Sequence, residues 1–368
     1  MTDILAMSDD LGPEQVLHLS NPAAGLQAIL VVDNTATGPS IGGVRMAPDV
    51  SLEECARLAR AMTLKNAAAG LSHGGGKAVI FADPAMPEDQ KEQLMRAFAD
   101  AIRDVQSYIP GPDMGTNETC MAWVREEIGR AVGLSGVIGG IPLDEIGATG
   151  LGVATACEVA QSFCDLKLQG ARVAIQGFGA VGKHTALCLA ERGAKLVAVS
   201  DSRGSIMHPD GLDLSALLDL KERGKSVAEL KGAESQDREA VITADCDILV
   251  PAARPDVISA VNADDINARL VVEGANIPAT EEAEEILQRR GILVVPDFIA
   301  NAGGVITAAF EYQGSTESQA LSAVVEKVRK NTQEVLEGAR QSAEMPRIVA
   351  RKIAEARVRK AMSLRRFR

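Results

Sequence analysis

With 368 residues, 46% hydrophobic and 24% charged, the chain is too long for one ordinary core and has the make-up of a globular protein of two domains. A formal net charge of -12 argues against a general nucleic-acid binder and against anionic membrane surfaces. The most apolar region, Gly291 to Phe310, is broken by Pro296-Asp297 and Gly303-Gly304, so no bilayer-spanning segment is expected.

Met1 to Asp10 lacks a basic start followed by an apolar run, and no signal peptide is read there. Leu26 to Val32 reads as a buried strand ending in the Asp33-Asn34-Thr35 turn. Ser51 to Ala68 has helical apolar spacing, with Ser51 as N-cap and Glu54 as its capping-box partner. Next come Lys65 and, twelve residues later, Lys77, directly preceded by Gly74-Gly75-Gly76. Glycines there let the backbone pass close to a ligand and turn the chain, so that two ammonium groups converge on one small anion. Two cations held close lower each other's pKa, which fits a lysine for base chemistry. His73 beside the glycines reads as structural, and His18, His184 and His208 add no metal-ligand spacing.

Lys77 to Phe81 is a short strand, Glu88 to Val105 an amphipathic helix, and Pro110-Gly111-Pro112-Asp113 a break. Gly133 to Gly150 is the linker candidate. A helix over about Gly152 to Phe163 follows, then strand Arg172 to Gln176, helix Ala180 to Glu191 and strand Lys195 to Ser200, with further strands near Ile248, Leu270 and Leu293. This alternation predicts a parallel sheet covered on both faces. From Arg347 to Arg368 nine residues are basic and one, Glu355, is acidic. Met345, Val349, Ile353 and Ala356 share a helical face, which reads as a basic helix packed on the acidic body or on another subunit; only Phe367 interleaves an aromatic ring with the charges. The six cysteines form no CxxC pair and read as reduced thiols of a cytoplasmic protein.

Gly177-Phe178-Gly179-Ala180-Val181-Gly182 is a GxGxxG between a strand and a helix, and Asp201 ends the next strand, 24 residues after Gly177. Helix N-terminal amides would hold a pyrophosphate there, admitted by the glycines. Asp201 would accept both ribose hydroxyls of NAD and repel the extra phosphate of NADP, while Ser202 and Arg203 could seat that phosphate. NAD is expected, with NADP open.

These residues resemble the glutamate/leucine/phenylalanine/valine dehydrogenase superfamily from about Leu26 to Glu311. The resemblance rests on Gly38 to Met46 (GPSIGGVRM), the two-lysine segment, Pro112-Asp113-Met114-Gly115-Thr116, Ala148-Thr149-Gly150, the GxGxxG, Glu273-Gly274-Ala275-Asn276 and Asn301-Ala302-Gly303-Gly304-Val305. It implies an α/β fold of two domains with a cleft between: residues 1–137 plus about 335–368 for substrate and oligomerisation, and a Rossmann-like domain over 138–334. It also implies reversible, NAD(P)-dependent deamination of an L-amino acid to a 2-oxo acid and ammonia by a homo-oligomer. Lys65 then grips the substrate α-carboxylate, Lys77 activates water, Asp113 shuttles amine protons, Gly42 and Gly43 frame the substrate, and Thr149, Asn276 and Asn301 lie near the nicotinamide and its ribose. The chemistry agrees: an iminium attacked by water needs a base, a second proton carrier and fixed charge for the carboxylate.

Glutamate-specific members of the resembled group place a lysine where this chain has Ile41, and a serine where it has Ala308, three residues after Val305. Both exchanges predict an apolar substrate side chain of the leucine, valine, isoleucine, methionine or phenylalanine type. Asn117 and Met121-Ala122-Trp123 resemble the glutamate branch and keep glutamate as the alternative. A non-catalytic cofactor-binding regulator is the other alternative, and a 2-hydroxy-acid dehydrogenase lacks its His–carboxylate dyad.

Overall fold

The computed structural model describes residues 7–143 and 145–366. Residues 1–6 of the N-terminal segment and Phe367 lie outside the described residues. The chain groups into two compact units: residues 1–143, 305–320 and 351–368 form the first, and 144–304 with 321–350 the second.

The first unit has a five-stranded sheet in the order β1-β2-β4-β3-β5, from β1 (Gln15–Asn21), β2 (Leu26–Asn34), β3 (Ser40–Ala47), β4 (Gly74–Phe81) and β5 (Tyr108–Pro112). β3 runs parallel to β4 and β5, whereas β1, β2 and β4 pair antiparallel. Helices α1 (Leu52–Ala68), α2 (Glu88–Ala101) and α3 (Glu118–Ile128) cover it. Leu94, Met95 and Phe98 of α2 and Met121 and Val124 of α3 pack with Leu30, Val44, Ile80 and Tyr108 into one core, which Trp123 borders.

Four expectations are corrected here. The Ser51 hydroxyl accepts the Glu54 N–H, but the Glu54 carboxylate binds Arg45 instead of closing a capping box. α2 stops at Ala101, four residues short of Val105, because Ile102 leaves the helical region. Gly74 to Gly76 make no turn: β4 runs straight through them, and the chain reverses earlier, at Gly70, with φ of 65°. Their missing side chains admit protein, not ligand. A Cβ on Gly75 would fall 2.0 Å from the Thr63 amide nitrogen, so the glycine is what lets α1 lie against β4.

In the second unit, α4 (Ala148–Ala160) begins four residues before the sequence places it, capped by left-handed Gly147. The sheet order is β12-β11-β10-β6-β7-β8-β9. β6 (Arg172–Gln176), β7 (Lys195–Asp201), β10 (Ile248–Pro251), β11 (Leu270–Val272) and β12 (Leu293–Val295) are parallel. β8 (Gly204–Met207) and β9 (Glu234–Gln236) add an antiparallel edge, so the sheet is mixed rather than wholly parallel. β8 is only four residues long and follows β7 through a tight turn, leaving no room for a crossover helix. Helices α5 (Ala180–Glu191), α6 (Leu214–Glu222), α7 (Glu281–Arg289) and α8 (Asp297–Ala300) follow the strands, then α9 (Gly303–Tyr312), α10 (Glu317–Ser342) and α11 (Pro346–Met362).

Residues 305–312 of α9 are held in the first unit by Glu311, whose carboxylate accepts the N–H groups of Gly133, Leu134 and Ile141. On α11 Val349, Ala350, Ala354 and Val358 are buried: Val349 lies on the face the sequence suggests, Ile353 is half-buried, and Ala356 is exposed. Its cations are partly spent on carbonyls: Arg357 donates to Ala67 and Ala68 at the C-terminal end of α1.

Candidate active site and dinucleotide turn

In the first unit β4 and the end of β5 bring Lys77 and Asp113 together. Lys77 is 5% exposed, and its Nζ lies 2.6 Å from Asp113 Oδ2. The same oxygen accepts Arg45 Nε at 3.0 Å, and Arg45 Nη1 reaches Glu54 Oε1 at 2.5 Å. Burial pushes the Asp113 carboxyl up, but the Lys77 and Arg45 cations outweigh it and hold the group below the usual carboxylate range. The fold thus gives Lys77 a carboxylate as its charged partner, the residue that the resemblance sets with it as proton carrier. Lys65 sits half-buried in the last turn of α1. Next to it, Asn66 Nδ2 donates to Gly74 O at 2.6 Å, tying that turn to β4.

The room for the pair comes from Gly43. A Cβ there would fall 2.7 Å from Asp113 Cβ and 3.2 Å from Lys77 Nζ. Gly42 is likewise required, since its Cβ would sit 1.7 Å from Gly76 O. The Tyr108 hydroxyl, fully buried, donates to Gly42 O at 2.8 Å and fixes this backbone. Burial drives the Tyr108 phenol well above its ordinary pKa, so it remains a donor. Thr116 Oγ1 accepts the Asp113 N–H at 3.0 Å and donates to Val44 O at 2.7 Å, fixing the turn that carries Asp113. Ile41 and Ala308 are buried, at 3% and 5% exposure, and Val305 is half-buried on α9. His73 is structural, as read: Nδ1 meets Pro39 O at 3.0 Å, its ring meets Tyr312 edge-on, and burial lowers its pKa.

In the second unit the GxGxxG turn leaves β6 where the neighbouring strands β7 and β10 diverge in chain order, the place where open α/β sheets take ligands. Gly177 has φ of 96°, and a Cβ on Gly182 would fall 1.9 Å from Gly177 O, so the third glycine brings α5 close to β6. Around Gly179 a Cβ would meet nothing within 4 Å: the free space lies at the glycine that caps α5, where a pyrophosphate would approach. Phe178 is buried, and Ala180 and Val181 open the helix. The turn therefore fits a dinucleotide.

Asp201 is not free to accept ribose hydroxyls as the sequence suggested. Oδ1 accepts the Arg203 N–H at 2.9 Å and the Ser226 hydroxyl at 2.8 Å; Oδ2 accepts Lys221 Nζ at 2.9 Å and the Val227 N–H at 3.0 Å. Four donors fill the acceptor positions of one carboxylate. Against the effect of burial, Lys221 and these N–H groups pull its pKa down to about 2. Ser202 and Arg203 are exposed beside it. Thr149 lies in the first turn of α4, with its Oγ1 3.3 Å from where a Gly304 Cβ would be. Asn301 Nδ2 donates to Asn276 Oδ1 at 3.0 Å, and buried Asn301 Oδ1 has no hydrogen-bond partner among the described residues.

The family description "Glutamate/Leucine/Phenylalanine/Valine dehydrogenase" matches residues 139–366, and that of its dimerisation domain matches residues 13–130. The chain belongs to the Glu/Leu/Phe/Val dehydrogenase family. It is 42% identical to a glutamate dehydrogenase of Thermotoga maritima over 78% of this chain and 72% of that one. To an NADP-specific glutamate dehydrogenase of Saccharolobus shibatae it is 40% identical, over 78% and 71%. A solved hetero-hexameric glutamate dehydrogenase of Thermus thermophilus in a Leu-bound form superposes with a TM-score of 0.85 at 31% identity, covering 96% of this chain and 90% of that one.

As a Glu/Leu/Phe/Val dehydrogenase the chain is an NAD(P)-dependent oxidoreductase acting on the CH–NH2 group of amino acids. Sequence reasoning missed Tyr108, Thr116, Lys221 and the role of Arg45. Arg45 stands in the GPSIGGVRM stretch, two residues from Gly43, and alternation along β3 could have placed it with the site. Lys221 and Ser226 reach Asp201 from a helix and a turn 20 and 25 residues on, which no local signal reports.

Proposed function

We propose that the chain catalyses the reversible oxidative deamination of L-glutamate to its 2-oxo acid and ammonia. The observation that carries the reaction class is the contact at 2.6 Å between buried Lys77 and half-buried Asp113. A dinucleotide bound at the Gly177–Gly182 turn would supply the acceptor for a hydride from Cα. Water must then add to the resulting iminium, and ammonia must leave. Lys77 and Asp113 share a proton position, so one can take a proton from water while the other serves the amine. Arg45 holds Asp113 ionised and oriented for that exchange. Lys65, at the end of the α1 turn tied to β4, takes the substrate α-carboxylate. Glutamate is favoured because the relatives at 40–42% identity are named for it.

Ile41 and Ala308 favour a second reading, an apolar amino acid. Beside buried apolar groups a side-chain carboxylate lacks a partner, which is costly. A leucine side chain would gain about 1.5–3 kcal/mol on full burial. Reductive amination of a 2-oxo acid panel with ammonia and NADH or NADPH, followed at 340 nm, separates the two. A kcat/KM ranking led by 2-oxoglutarate supports glutamate, and one led by 4-methyl-2-oxopentanoate supports the apolar reading. Absence of turnover across the panel would leave the non-catalytic regulator.

We further propose that both dinucleotides are used. Asp201 is neutralised by Lys221, so its repulsion of the NADP phosphate is blunted, and Arg203 lies alongside. Comparison of KM for NAD and NADP tests this. We propose that substrate and assembly belong to the first unit and the dinucleotide to the second; relative to the expected 1–137 with about 335–368 and 138–334, residues 305–320 group with the first unit and 335–350 with the second. The match to a dimerisation domain supports a homo-oligomer, and the six unpaired thiols fit a reducing cytoplasm.

A further inference from the structure

Arg347 lies in the first turn of α11, inside the basic stretch that reads from sequence as a helix packed on the acidic body or on another subunit. In the second unit it meets acids of this same chain. Nη2 lies 2.5 Å from Glu273 Oε2, Nε 2.6 Å from Glu284 Oε1, and Nη1 2.9 Å from Asp297 Oδ1. One guanidinium thus joins three largely buried carboxylates, and the Phe298 ring lies 5.8 Å from its central carbon.

Two of those carboxylates hold backbone that leads to the paired asparagines. Glu273, just past β11, opens the Gly274-Ala275-Asn276 turn, and its Oε2 accepts the Asp297 N–H at 2.9 Å. Asp297 starts α8, and its Oδ2 accepts the Ile277 N–H at 2.9 Å. Ile277 has φ of 48°, a left-handed conformation that a β-branched residue adopts only when held. The Asp297 carbonyl accepts the Asn301 N–H at 2.7 Å, and Asn301 Nδ2 closes the ring on Gly274 O, Ala275 O and Asn276 Oδ1. Arg347 itself touches neither asparagine through any of these bonds; it orients the acids that set their backbone.

We propose that Arg347 is a positioning residue for dinucleotide binding: through Glu273 and Asp297 it locks the Gly274–Ile277 turn against Asn301, so that both asparagine side chains are presented in one arrangement. This rests on the reading that Asn276 and Asn301 face the dinucleotide. A guanidinium can serve three carboxylates at once in fixed directions, whereas an ammonium cannot.

The test is NADH binding to the full chain by fluorescence titration, with steady-state kinetics alongside. Arg347→Lys keeps the charge and loses the fork; its NADH Kd should rise about tenfold, with kcat at saturating cofactor and the amino-acid KM changed by less than about threefold. Ile286→Val, a core trim in the same unit, lowers Tm as a purely structural loss would and should leave the Kd unchanged. A folded Arg347→Lys that binds NADH as tightly as the parent overturns the proposal. Should that variant not fold, Asp297→Asn weakens the same link, and an unchanged Kd there overturns it equally. Asn276→Ala separates the premises. If it binds NADH like the parent, the dinucleotide reading of the asparagines fails and the proposal with it. If it weakens binding while Arg347→Lys does not, the Arg347 proposal alone fails.

Discussion

Lys77 and Arg45 in the first unit face two carboxylates, Asp113 and Glu54; Arg347 in the second faces three, Glu273, Glu284 and Asp297. Asp113 in the one and Glu273 and Glu284 in the other respond in opposite directions. In the balanced group the cations win over burial, and Asp113 titrates below the usual range. In the unbalanced group burial wins over the single cation and the neighbouring acids add to it, so Glu273 and Glu284 are pushed up. Depth and cation count act together: Glu273 and Glu284 are the more deeply buried and share one cation, whereas Asp113 is partly exposed and meets two. A balanced group suits proton traffic during turnover, whereas an unbalanced one suits holding loops.

The largest expected effect comes from unbalancing the first group. Lys77→Ala removes a cation and a proton carrier at once; kcat should fall by about 10²–10⁴-fold. NADH affinity, measured by fluorescence, should stay nearly intact, since Lys77 belongs to the other unit. Adding a cation is the next test. Ile41→Lys with Ala308→Ser should move the Glu-to-Leu ratio of kcat/KM toward glutamate by about tenfold or more, a ratio that hydrogen-bonded side-chain recognition readily reaches. An unmoved ratio would remove both residues from the substrate pocket.

The pH dependence of stability sharpens the contrast. Glu273 and Glu284 have raised folded pKa values, so above the ordinary carboxyl value the folded chain holds more protons than the unfolded one, and their contribution to stability falls as pH rises. Asp113, with its folded pKa lowered, contributes stability above the unfolded value and loses it as pH falls. Glu284→Gln should therefore flatten the decline of Tm as pH rises above the ordinary carboxyl value, as followed by differential scanning fluorimetry. Smallest is Tyr108→Phe, which deletes the hydrogen bond to Gly42 O at a cost of about 1 kcal/mol, seen as a drop of a few degrees in Tm.

Much of this was legible in the chain itself. β2, β6, α5 and β7 fall within about two residues of the sequence reading, because apolar periodicity and caps are local properties. So was the kind of chemistry, since Lys77, Asp113 and the GxGxxG each stand in a recognisable stretch. What escaped was contact across long separations. The resemblance already set Asp113 with Lys77, which β5 and β4 achieve by flanking β3, but the glycine triplet makes sense only once α1 is known to lie on β4. For Arg347 a basic helix packed on acidic groups was legible, but which acids it meets, 50 to 74 residues earlier in the chain, only the fold reports.

Gly43 has a further consequence for anyone seeking altered substrate range. Any other side chain there must start with a carbon 2.7 Å from Asp113 Cβ, so codon randomisation at this position should return only glycine among active clones. On the proposed reading of the pocket, diversity belongs at Ile41 and Ala308, apolar side chains that carry no charge into the lysine–aspartate contact.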